Sequence, residues 1–192
     1  FFLEAAALGI GTIENGELII STIILSINKT RAPKGTALLS LLFIVLILRK
    51  KANMYSLISE HSFDAAHFLK GYEGKCSNIH GHRWRVVVEI QGDALKKDSH
   101  TRGMLIDFDE LKETIKKEVD YFDHCLIIEK NSLKENTYNA LKDEGFRIVE
   151  LDFRSTAENF SKYFYDRIIE KGYQVKCVSV YETPNNCAVY GE

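Results

Sequence analysis

Between His82 and Gln91 the side chains alternate in character, with Trp84, Val86, Val88 and Ile90 on one side and Arg83, Arg85, Glu89 and Gln91 on the other. A period of two predicts a half-buried strand. Tyr55 to Ala66 has the same extended character. From Asp107 to Phe122 the period lengthens: Leu111, Ile115 and Val119 recur every four residues, as on one face of a helix. Asp107 and Glu110 stand where a capping pair would start it. Glu135 to Asp143 predicts a weaker helix that stops at Gly145, and Arg147 to Phe153 has strand character. Ser155 and Glu158 form a second capping-box pattern, which opens a helix carrying Ala157, Phe160, Phe164 and Ile168 and closing at Gly172. Val175 to Glu182 and Cys187 to Tyr190 alternate again, joined by a turn at Pro184, Asn185 and Asn186. The pattern predicts an α+β domain, with a four-stranded antiparallel sheet and two main helices on one face.

The first 53 residues follow no such pattern. Ile19 to Ile27 is a β-branched run, and Ala37 to Leu48 is a run of mostly aliphatic residues closed by Arg49, Lys50 and Lys51. The second run is too short to span a bilayer, which needs about 20 residues. Its basic cluster follows the run instead of preceding it, so it does not read as a signal peptide. The first methionine is Met54. The expectation is that residues 1–53 are an apolar leader that is not native to the protein, brought in by a misassigned start or as vector-derived sequence. The alternative is a leader that associates with membranes. Residues 54–192 form the domain that carries the chemistry.

Charge and cysteine content narrow the classes. Residues 1–53 carry a net +3 and residues 54–192 a net −5. This balance gives no reason to expect nucleic acid or an anionic membrane as a partner. Cys76, Cys125, Cys177 and Cys187 are too few and too scattered for a disulfide scaffold, and read as reduced thiols of a cytoplasmic protein.

The candidate chemistry centres on His80-Gly81-His82 at the start of the alternating strand. Two imidazoles at i and i+2 project to the same face about 7 Å apart at their Cα atoms, where both can bind one metal ion. Gly81 keeps the position between them free of bulk. His67 ends the preceding strand, and antiparallel pairing can bring it alongside. Three neutral imidazoles with a fourth position open are the donor set of a catalytic zinc ion. A bare His-x-His triplet arises by chance; His67 and the nearby Cys76 favour a metal site here. Cys76 lies four residues before His80 in a polar loop. It is open as a fourth ligand, as a nucleophile or base beside the metal, or as a core thiol. Asp123-His124 pairs a carboxylate with an imidazole, a proton carrier when the two meet. Glu182, just before the Pro184 turn, can accept two hydrogen bonds from the edge of a heterocycle.

Phe63-Asp64-Ala65-Ala66-His67, Cys76 with three residues before His80-Gly81-His82, Asp107-Phe108, Asp123-His124, Thr156-Ala157-Glu158 and Glu182-Thr183-Pro184-Asn185-Asn186 occur in this order. Together they resemble the 6-pyruvoyltetrahydropterin synthase family over essentially all of residues 54–192 and none of 1–53. The Cys-x-x-x-His-Gly-His spacing is similar to that of its bacterial branch, the 6-carboxy-5,6,7,8-tetrahydropterin synthases of queuosine biosynthesis. The resemblance implies zinc on His67, His80 and His82, with Cys76 as general base and Asp123 and His124 in proton transfer. It implies Glu182 as the pterin anchor, helped by backbone near Thr156. It implies a pterin triphosphate as substrate, and a tunnelling fold whose sheets join into a barrel, commonly in hexamers, with active sites between subunits. Rival readings are a pyruvoyl-forming synthase and a non-catalytic His3Cys zinc module. Arg154-Ser155 departs from the Asn-Pro that many members carry before the threonine; Ser155 can still cap the helix.

Overall fold

The computed structural model describes residues 53–191. The apolar leader assigned to residues 1–53 lies, but for Asn53, outside them. Strands β1 (Tyr55–His67) and β2 (His80–Gly92) form a long hairpin, followed by helix α1 (Phe108–Val119) and strand β3 (Cys125–Glu129). Helix α2 (Glu135–Asp143), strand β4 (Ile148–Leu151), helix α3 (Ala157–Glu170) and strands β5 (Val175–Thr183) and β6 (Asn186–Gly191) complete the order. The class is α+β, but the sheet corrects the expectation of four antiparallel strands and two helices. Among the described residues six strands run in the order β4-β3-β1-β2-β5-β6, and three α-helices accompany them. β1 pairs antiparallel with β2, but parallel with β3, which in turn pairs parallel with β4. The parallel β3–β4 pair needs a crossover connection, and α2 supplies it.

One face of the sheet carries the core. Phe63, Trp84, Val86 and Val88 point from the strands onto Leu111, Ile115 and Val119 of α1 and Phe160, Phe164 and Ile168 of α3. The Phe63 ring stacks on Trp84 with centroids 5.9 Å apart and meets Phe122 at 5.6 Å. The opposite face carries ion pairs such as Arg83–Asp64 and Arg85–Glu60 beside apolar residues such as Ala66 and Leu126.

Side chains cap the starts of α1 and α3, and none caps that of α2. Asp107 caps α1 by accepting from the Asp109 N–H, and the helix tightens to a 3-10 turn over Asp120–Phe122. Gly172 ends α3 at φ 90°, a conformation that favours glycine. At the start of α3, however, Thr156 and not Ser155 is the N-cap, and its hydroxyl accepts from the Asn159 N–H. Ser155 turns inward, to the site described next.

Candidate active site

The β1–β2 register places His67 opposite His80 and Ala65 opposite His82. Residues directly opposite in an antiparallel pair share a face, so all three imidazoles lie on the core face, one step beyond Trp84. Their ring centroids are 4.5 Å (His67–His80), 5.3 Å (His67–His82) and 4.9 Å (His80–His82) apart. One ring nitrogen of each lies within 4.8 Å of the others. Gly81 is less constrained than expected: a Cβ there would meet the Ala65 carbonyl oxygen at 3.4 Å, which alanine tolerates, and the residue lines a cavity instead.

The hydrogen bonds of the rings orient them. His67 Nδ1 lies 2.9 Å from the Ser155 carbonyl oxygen, and His80 Nδ1 lies 2.8 Å from that of Asn78. A carbonyl only accepts, so both rings carry hydrogen on Nδ1 and a lone pair on Nε2. Nε2 of His67, His80 and His82 is buried without a hydrogen-bond partner. Three unpaired buried nitrogens in one cluster are expensive unless a ligand satisfies them. Burial, with the neighbouring His80 adding to it, lowers the His67 pKa to about 4. Burial lowers that of His82 too. Both stay neutral at physiological pH, the form that binds a metal.

Glu182 Oε1 stands 3.5 Å from His67 Nε2 and 3.8 Å from His82 Nε2. A carboxylate facing a lone pair is repelled, and a cation between them removes the conflict. The neutral imidazoles and their unpaired Nε2 atoms fit a divalent metal ion of the zinc type. Glu182 and His82 also line a cavity of about 460 Å³ with Ser62, Arg85, Tyr181 and Thr183.

The other predicted residues lie on three further segments. Cys76 sits partly exposed on a 3-10 turn, Lys75–Ser77, in the connection between His67 and His80. Thr156 starts α3 beside Ser155. Asp123 and His124 lie across β1 from β2, at the entry to β3. The Asp123 carboxylate accepts from the Asp64 N–H at 2.9 Å, the main cause of its lowered pKa, and meets His124 Nδ1 at 2.7 Å. His124 takes a left-handed backbone, φ 53°, and its side chain is 80% exposed. It lines a second, largely apolar cavity of about 540 Å³ with Asp64, Ala66, Ile79, Leu126 and Phe146. One chain therefore gathers the three histidines and Glu182 in one place and holds the Asp123–His124 pair in another.

The family profile described as 6-pyruvoyl tetrahydropterin synthase matches residues 56–192. The chain belongs to this family. It is 34% identical over 142 residues to the 6-carboxy-5,6,7,8-tetrahydropterin synthase of Haemophilus influenzae, covering 72% of this chain and all of that protein. The enzyme of the same name from Rickettsia felis is 36% identical over 129 residues, covering 64% of this chain and 90% of that one. Among solved structures, 6-pyruvoyl tetrahydropterin synthase from Plasmodium vivax aligns with a TM-score of 0.56 at 25% identity, over 72% of this chain and 97% of that one. A protein from Wolinella succinogenes aligns at 0.57 and 20% identity, over 73% and 99% of the two chains, a likeness of fold.

Three contributors to this member's site escaped the sequence reading. Ser155 read as a helix cap, but its oxygens face His67. Asn78 holds His80 through a backbone carbonyl, which no side-chain pattern reveals. Arg147 donates to the carbonyls of Asp123 and Tyr121, both at 2.6 Å, and fixes the turn that presents His124. Its only signal was a cation just before a strand.

Proposed function

We propose that this chain is a zinc-dependent 6-carboxy-5,6,7,8-tetrahydropterin synthase of queuosine biosynthesis. It would take 7,8-dihydroneopterin triphosphate and water to 6-carboxytetrahydropterin, acetaldehyde and triphosphate. The observation that carries the reading is the convergence of three buried, unpartnered Nε2 atoms on one point. The family membership, the names of the relatives and the Cys76-x-x-x-His80 spacing support the choice of reaction.

His67, His80 and His82 would hold the zinc, which when bound supplies a Lewis acid for the side-chain oxygens of the substrate. Cys76 would take the proton from the substrate side chain. His124 keeps its Nδ1–H on Asp123, so its Nε2 is free to accept and return a proton. Glu182 accepts two hydrogen bonds from the amino-pyrimidinone edge, with backbone near Thr156 aligning the ring. The separation of His124 from the histidine cluster supports assembly of identical chains, with a second copy bringing its Asp123–His124 pair to the metal face. The hexamer common to the family is the proposed state. Among the described residues no helix is long and apolar enough to cross a membrane. The four cysteines are free thiols, which supports work in the cytoplasm.

The test incubates the protein with 7,8-dihydroneopterin triphosphate. Acetaldehyde and a carboxylated pterin are expected. A pyruvoyl product without acetaldehyde would assign the chain to the pyruvoyl-forming branch. Cys76→Ala is expected to keep the zinc and the fold and to lose at least about a hundredfold in turnover, as for a missing general base. Loss of zinc and unfolding in that variant would instead make Cys76 a structural ligand.

A further inference from the structure

We infer that Ser155 is a positioning residue for the metal ligand His67, and that it acts through both of its oxygens. The inference rests on the reading of the histidine cluster as a metal centre. His67 and Ser155 are 88 residues apart and both buried, at 0% and 1% exposure. The Ser155 carbonyl oxygen is 2.9 Å from His67 Nδ1, and its hydroxyl oxygen is 3.2 Å from the same atom. Were the hydroxyl to donate to a bare Nδ1, the lone pair of that nitrogen would face the carbonyl oxygen at 2.9 Å. Two acceptors at that distance repel. The carbonyl therefore decides the tautomer, and the hydroxyl serves as a second acceptor for the same N–H.

Two acceptors fix more than one can. A single carbonyl allows the imidazole to pivot about one hydrogen bond; a second oxygen on the same residue restricts the pivot and aims Nε2. Ser155 is buried from bulk solvent, so the strength of these contacts is not shared with it. The clamp is itself held. Asn159 Nδ2 donates to the Arg154 carbonyl at 2.9 Å, the Asn159 N–H donates to Thr156 Oγ1, and the Phe160 N–H donates to the Thr156 carbonyl. The first turn of α3 thus sets the ring of a ligand at the end of β1. His80 differs: its acceptor, Asn78, is only two residues away.

The experiment measures zinc affinity on the full chain by competition with a chromophoric chelator. Trp84 gives a second readout. It is the only tryptophan, and its ring centroid lies 5.0 Å from that of His67 and 5.6 Å from that of His82. Ser155→Ala and Ser155→Gly keep the carbonyl and remove the hydroxyl. Both are expected to bind zinc about tenfold more weakly, the lower end of what losing an outer-shell partner costs. Ser161→Ala is the control. It also removes a buried hydroxyl from α3, one that donates to the Glu158 carbonyl at 2.7 Å and touches no ligand. Its zinc affinity is expected to stay within about twofold of the parent. Unchanged affinity in both Ser155 variants, or an equal loss in Ser161→Ala, overturns the inference. On the unaltered protein, nitrogen–proton correlation must place the His67 proton on Nδ1; a proton on Nε2 also overturns it. A parent protein that binds no zinc contradicts the metal centre itself, which is a different failure.

Discussion

Glu182 lies 3.5 Å from an imidazole nitrogen that has no hydrogen to offer it. In the metal-free protein this contact costs stability, and in the reaction proposed above the same carboxylate anchors the pterin. The two roles separate in Glu182→Gln. A glutamine can turn its NH₂ toward His67 Nε2 and relieve the repulsion, but it offers a ring one neutral oxygen in place of a carboxylate. Metal-free Glu182→Gln is expected to melt about 1 °C above the parent, as a relief of a few tenths of a kcal/mol gives. Its KM for the pterin substrate is expected to rise at least about tenfold, as losing a charge-assisted pair costs. Calorimetry and steady-state kinetics on one preparation check both. A lower melting temperature with an unchanged KM would remove Glu182 from both roles. The sequence carried part of this. A carboxylate at a strand end before a Pro-Asn-Asn turn was visible; its approach to His67 was not, because it depends on how β5 pairs with β2.

Helices α1 and α3 are tied by Glu118, Arg167 and Lys171. Glu118 is buried, and its carboxylate accepts from Arg167 Nε at 2.8 Å and pairs with Lys171 Nζ at 2.9 Å. Burial alone would raise the Glu118 pKa, but the hydrogen bonds from the two cations outweigh it, and the pKa lies below the ordinary 4.5. A carboxylate whose pKa is depressed by folding stabilises the protein above its unfolded pKa. That stability is lost as the pH falls through the folded value. Glu118→Gln is therefore expected to cost about 2 kcal/mol near neutral pH. The cost should shrink below the ordinary glutamate pKa. A cost that stays constant into acid would mean that packing, not charge, holds the pair. Long periodic elements such as α1, α3 and the β2 alternation were legible because each repeats one local rule. β3 was not: Cys-Leu-Ile-Ile-Glu is a short apolar run with Cys125, Ile127 and Ile128 all buried, so it lacks alternation. Its parallel pairing to β1 and β4 is set by the fold around it. Ser155 failed as a cap for a related reason: two adjacent hydroxyl residues could serve, and the buried His67 ring takes one of them.

Residues 54–192 carry every group in the proposed reaction, yet the histidine cluster with Glu182 and the Asp123–His124 pair stand apart on one chain, His82 and Glu182 lining one cavity and His124 another. Assembly resolves this if the Asp123–His124 pair of one copy meets the histidine cluster of another. Coexpressed Cys76→Ala and His124→Ala, each inactive alone, are then expected to recover about a quarter of parental activity, since random assembly makes one shared site in four intact. No recovery in a mixed oligomer would place both residues in a single chain's site. All of this depends on the metal centre. The most direct test is the zinc content of the purified full chain beside His67→Ala, His80→Ala and His82→Ala, each melted in its metal-free form. One zinc ion per chain is expected in the parent, with each variant folded and its zinc affinity lowered at least about a hundredfold. A parent without zinc after loading, or variants that bind it as tightly as the parent, would contradict the metal centre.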